Sequence, residues 1–139
     1  MNQSNLKLPL FILRATIAIF FLVWGFEKFV DPETTVAIWK SFYMIDNLPV
    51  AAAYSIGALQ IAVVACFFFG ILKFWSYGFL MVIHALSTLS TYEQLLSPYE
   101  GNHHLFVAAI PALGALIALF LLRDEDTLFT LSRRRRSLN

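Results

Sequence analysis

Four apolar blocks, each roughly 18 to 20 residues long, dominate this chain and leave little freedom in what it can become. They cover about residues 8–26, 50–69, 75–95 and 104–122. A helix rises 1.5 Å per residue, so each block matches the ~30 Å of hydrocarbon in a bilayer. Short connections at 70–74 and 97–103 force the neighbouring blocks to run in opposite directions. The expected fold is therefore all-α, an integral membrane four-transmembrane-helix antiparallel bundle. Composition agrees: 59% of the 139 residues are hydrophobic, 14% are charged, and the mean hydropathy is +0.70. A soluble enzyme does not look like this. The bundle uses the whole chain, 1–139, as one membrane domain ending in a basic tail over 123–139.

The longest connection, 31–49, interleaves Trp39, Phe42, Tyr43 and Ile45 with Lys40 and Asp46. That mixture predicts a short amphipathic helix at the interface between spans one and two. Pro49 marks the start of the second span, where proline suits a first helical turn. Lys7, Lys73, Arg123 and the run Arg133, Arg134, Arg135, Arg136 flank one side, against Lys28 and Lys40 on the other. The positive-inside rule then puts both termini of this multi-pass chain in the cytoplasm. Arg14 interrupts the first apolar run and no small-residue cleavage site follows it, so span one is expected to be retained. The arginine run serves as an anchor against anionic headgroups; with a net charge of +1 the chain carries no nucleic-acid signal. Its single cysteine, Cys66, excludes an intrachain disulfide or a CxxC pair.

Ionisable groups at membrane depth are costly, on the order of 2.5–3.5 kcal/mol on insertion scales, so each needs a partner or a purpose. Arg14, Ala18, Phe21, Gly25 and Lys28 share one face of span one and predict its inward side. Tyr77, His84, Thr88 and Thr91 form the corresponding stripe on span three. Helix-rise arithmetic places Arg14 about 9 Å into the inner half and both Gln60 and His84 ~13–15 Å deep, close enough to meet near the midplane. Two roles fit these residues. One is a polar pocket in which Arg14 holds an anionic or carbonyl-bearing group and His84 exchanges a proton. The other is structural, with Arg14 snorkelling or bonding carbonyls while His84 and Gln60 join helices. In span four, Pro111 leaves the Val107 carbonyl without its helical donor and predicts a kink.

A haem held by two histidines is disfavoured, because His103 and His104 lie about 14 Å from the level of His84. Glu93, Glu100, His103 and His104 share the outer surface without fixed ligand spacing, so no metal site is expected.

Beyond these patterns, the stretch from about residue 13 to 122 resembles the DoxX family of small four-helix bacterial membrane proteins. Arg14 followed by an apolar run to Gly25-Phe-Glu-Lys28-Phe and Asp31-Pro32 is similar to the family's first-span signature. Leu48-Pro49 through Gly57-Ala-Leu-Gln60 is similar to its second-span entry, with glutamine where the family commonly has glutamate. The Gly70 turn and Asn102 ahead of span four also fit. The resemblance implies an accessory or quinone-side membrane subunit of a redox system, in sulfur oxidation or oxidative-stress defence. It implies no tightly bound cofactor, quinone being the candidate ligand, and it leaves open whether the chain itself is an enzyme.

The candidate substrate or quinone pocket is thus Arg14, Gly25, Lys28, Gln60, His84, Thr88 and Asn102. Expected partners are the lipid bilayer, a soluble or membrane redox protein and a second copy of the chain. Two other functions compete: a small transporter or channel for an anion or small molecule, and a purely structural membrane anchor. Stripes of alanine and glycine in spans two and four allow close helix approach and suit all three.

Overall fold

The computed structural model describes residues 5–131; the basic run at 133–136 lies outside them. These residues form α1 (Lys7–Val30), α2 (Pro32–Tyr43), α3 (Val50–Phe68), α4 (Lys73–Ser90), α5 (Tyr92–Leu96) and α6 (Ala109–Leu121), with a 3-10 turn, His103–Ala108, leading directly into α6. No strand occurs among them. Three helical stretches are long and apolar enough to cross a membrane: Lys7–Val30, Val50–Phe68 and His103–Leu121. Large side chains such as Ile19, Leu59 and Ile110 stand exposed on their outer faces, and Leu86 and Leu89 do so on α4, the inverse of a water-soluble surface.

Helix boundaries follow local chemistry. Pro9 occupies the first turn of α1, where its missing N–H was unpaired anyway. Pro32 drives the preceding Asp31 out of helical geometry and stops α1 one residue earlier. Asp31 then caps α2, its Oδ2 accepting from Thr34 Oγ1 at 2.7 Å. Thus α1 overruns the expected span at its C-terminal end, and the helix expected within 31–49 is α2.

The third block departs from expectation more clearly. It was expected to run over 75–95 as one span; α4 ends at Ser90 and α5 resumes at Tyr92. Thr88 Oγ1 donates to His84 O and Thr91 Oγ1 to Thr88 O, local bonds that compete with the helical ladder where α4 stops. With Ser76, Tyr77, His84, Ser87 and Thr88 along its length, α4 is not among the stretches apolar enough to span by composition. At the fourth block, Pro111 sits in the first turn of α6, and the expected irregularity takes the form of the 3-10 turn before it.

The long helices close a ring: α1 packs on α3, α3 on α4, α4 on α6, and α6 returns to α1. Leu10, Ile17, Phe21, Val64, Phe67, Leu80, Leu116 and Leu119 fill its centre. The inward face expected for α1 is observed, with Arg14, Ala18, Phe21 and Gly25 buried. The stripe on α4 is observed too, since Tyr77, His84, Thr88 and Thr91 are all buried.

Residues 122–131 do not leave the bundle as a free basic tail. They fold back across the end that carries the start of α1 and the α3–α4 turn. Leu131 N donates to Phe69 O at 2.8 Å, and Phe129 meets Phe11 edge to face at 5.1 Å. Gly70 makes this seat possible: its φ is +62°, and a Cβ there would lie 2.6 Å from Thr130 Cγ2. Gly70→Ala is expected to cost about 1–3 kcal/mol through backbone strain and displacement of Thr130. Thermal unfolding in micelles measures it, and an unchanged midpoint would show that the strap seats elsewhere.

Candidate functional site

The polar residues of the interior form two centres at opposite ends of the ring. The first is an ion pair. Arg14 and Asp126 are both 0% exposed, with Nη1 donating to Oδ1 at 2.6 Å. Tyr77, also fully buried, donates its hydroxyl to Asp126 Oδ2 at 2.7 Å, so the carboxylate is held from both sides. Arg14 Nη2 donates to the carbonyl of Leu128. Lys73 Nζ ties down the same strap through Asp126 O at 2.5 Å and Arg123 O at 3.1 Å. Such a cluster satisfies the rule that a buried charge be paired and hydrogen-bonded. Arg14 Nε is the one walled-off side-chain atom without a partner among the described residues.

The second centre is a cavity of ≈ 640 Å³ between the second half of α1, α2, the first half of α3, the second half of α4 and the 3-10 turn. A third of its lining is aromatic, including Phe20, Phe21, Trp24, Trp39 and Phe106, and aliphatic side chains such as Ile56, Leu59 and Ile83 fill in between. Lys28, Gln60, His84 and Thr88 interrupt them, together with Glu27. Gln60 Nε2 donates to Phe21 O at 2.8 Å, joining α3 to α1. His84 Nε2 bonds Ala109 O at 3.1 Å, joining α4 to the start of α6. Lys28 Nζ donates to Trp24 O at 2.8 Å. Neither Gln60 nor His84 bonds Arg14.

A close crossing of α1 and α3 shapes this cavity. A Cβ at Gly57 would lie 2.8 Å from Phe29 Cε2, 2.9 Å from Lys28 Cβ and 3.2 Å from Gly25 O. A Cβ at Gly25 would meet Ile61 Cγ1 at 3.0 Å. Glycine at 57 lets the helices approach this far, with Gly25 leaving room for the Ile61 side chain opposite, and the approach brings Gln60, one turn beyond Gly57, within reach of the Phe21 carbonyl.

The seven expected pocket residues therefore separate. Lys28, Gln60, His84 and Thr88 line the cavity, and Gly25 sets the crossing beside it. Arg14 belongs to the ion pair and does not line the cavity. Asn102 is an exposed turn residue whose carbonyl accepts from Leu105 N at 3.1 Å. The meeting of Arg14, Gln60 and His84 at the midplane does not occur, because helix rise gives depth along an axis and says nothing of which neighbour faces it. Asp126 was missed altogether, although the cost of a buried arginine called for a carboxylate and Asp124, Glu125 and Asp126 lay just past the last span. Among the described residues no three of His, Cys, Asp and Glu gather as metal ligands, and His103 instead bonds Ser97 at 3.1 Å.

Compared with protein-family models, with curated proteins and with solved structures, the chain gives no match.

Proposed function

We propose that this chain is a four-span inner-membrane protein, similar to the DoxX family, that serves a redox system by binding a quinone-type ring in its aromatic cavity. The cavity is the observation that carries this reading. Membrane pockets for flat, weakly polar rings need apolar and aromatic walls with polar groups to orient the head, and this cavity offers both, with Phe20, Phe21, Trp24 and Trp39 beside Lys28, Gln60, His84 and Thr88. Helix α4 completes the fourth span: 18 residues reach ~27 Å, and its polar stripe faces the interior rather than lipid. Both termini then lie on the cytoplasmic side with the ion pair, while the cavity opens in the outer half beneath α2.

Transport of an anion past Arg14 has less support, because the strap closes over that side chain. A structural anchor would need no cavity of this size. The experiment is mild-detergent purification of the full chain, followed by mass spectrometry of extracted small molecules and co-purifying proteins. The expected result is a quinone in roughly stoichiometric amount, or a soluble redox enzyme. Recovery of neither, under conditions in which native lipids are retained, would remove the redox reading and return weight to transport or anchoring.

A further inference from the structure

We propose that the cavity selects the reduced ring, an aromatic hydroxyl compound of the hydroquinone type, over its oxidised form, by accepting a ring O–H at His84 Nδ1. The proposal rests on the reading of the cavity as a quinone-type site and assigns the redox state it holds.

The argument turns on which nitrogen of His84 is already engaged. A backbone carbonyl can only accept, so the 3.1 Å contact between Nε2 and Ala109 O requires the proton on Nε2. In the neutral imidazole Nδ1 is then a lone pair. Nothing among the described residues donates to it, and it is not walled off by packing as Arg14 Nε is. His84 is 6% exposed and lines the cavity, so the space Nδ1 can reach is the cavity. Phe20 and Phe21 stand edge-on to the imidazole at 5.6 and 5.9 Å and hold its plane, so the ring does not swing to exchange its two nitrogens freely.

Gln60 adds to the same bias. One N–H of its amide is spent on Phe21 O, and Oε1 is an acceptor with no donor among the described residues. The deep wall therefore presents two lone pairs for a ring O–H, at His84 Nδ1 and Gln60 Oε1, and of the two only Nδ1 has no N–H beside it to offer a carbonyl instead. An oxidised quinone carries only carbonyl acceptors and sets lone pair against lone pair at Nδ1, whereas a hydroquinone brings an O–H. At the cavity's other polar wall, Lys28 spends one N–H on Trp24 O and retains others for the oxygen at the far side of the ring.

The test uses the full chain in detergent and three short-chain probes of one shape: a hydroquinone kept reduced under anaerobic conditions, the matching quinone, and the hydroquinone dimethyl ether. Equilibrium dialysis measures affinity, and fluorescence of Trp24 and Trp39, which line the cavity, reports that binding occurs there. The hydroquinone is expected to bind about tenfold more tightly than the other two, the effect of one hydrogen bond gained against one left unmade. His84→Phe is expected to erase the preference by weakening hydroquinone binding alone. The three-ligand comparison on the unaltered protein decides the matter even where that variant fails to fold. Equal affinities, tighter binding of the quinone, or an ether as tight as the hydroquinone would each overturn donor selection while leaving a quinone-type site standing. Binding of none of the three would instead remove that site.

Discussion

Asp126→Ala is expected to destabilise the protein by about 3–5 kcal/mol, the cost of leaving one member of a buried ion pair uncompensated. Arg14 is fully buried, and its guanidinium would keep only Leu128 O and the distant Tyr77 hydroxyl. Tyr77 would lose its acceptor at the same moment. The strap over residues 122–131 is expected to loosen, held then only by main-chain contacts: Lys73 on Arg123 O and Asp126 O, Arg14 on Leu128 O, and Leu131 N on Phe69 O. Loss of helicity in a detergent titration, read by circular dichroism, gives the stability. The double variant Arg14→Met with Asp126→Leu should recover most of the loss, because a buried pair replaced by apolar side chains of similar volume is often neutral or better. If Asp126→Ala unfolds at the wild-type midpoint, the pair is not a structural element. Full recovery of stability in the double variant, with binding in the cavity unaffected, would also establish that Arg14 acts in folding and not in ligand recognition.

How far this arrangement could be read from the sequence depends on range. Three of the four expected spans correspond to helices long and apolar enough to cross a membrane, legible because a bilayer sets one length for a crossing helix, and the period of polar residues marked the inward faces of α1 and α4. The break between α1 and α2 is local chemistry at Asp31 and Pro32, although the first span was expected to end four residues earlier than α1 does. Pairings were not legible. Arg14 finds its carboxylate 112 positions away, in a segment expected to be the start of a basic tail. Basic residues near a span end report which side they lie on, and say nothing about whether an acid between them turns back inward. His84 and Gln60 were recognised as buried polar groups, yet their carbonyl partners, Ala109 O and Phe21 O, are backbone atoms that no side-chain pattern reveals. The cavity depends on those pairings and on α2 lying across them, so it emerges only in three dimensions.

The second large effect is expected at the α1–α3 crossing. Gly57→Leu should cost ~3 kcal/mol or more, at or beyond the upper end of what overpacking usually does, because the obstacles include backbone. Phe29 can rotate out of the way of a new Cβ, but Gly25 O and Lys28 Cβ cannot move without carrying α1 with them. Separation of the two helices lengthens the Gln60 to Phe21 O bond, now 2.8 Å, and widens the cavity wall from which Lys28 projects. Stability and ring binding should therefore fall together, and Gly57→Ala should show the same pair of losses at smaller size. Gly114→Ala supplies the control within the same fold. Nothing lies within 4 Å of a Cβ at Gly114, so only helix propensity changes, by up to ~1 kcal/mol in favour of alanine. A Gly57→Leu protein that keeps both its unfolding midpoint and its ligand affinity would mean that α1 and α3 do not touch at these glycines, and that the cavity wall is set elsewhere.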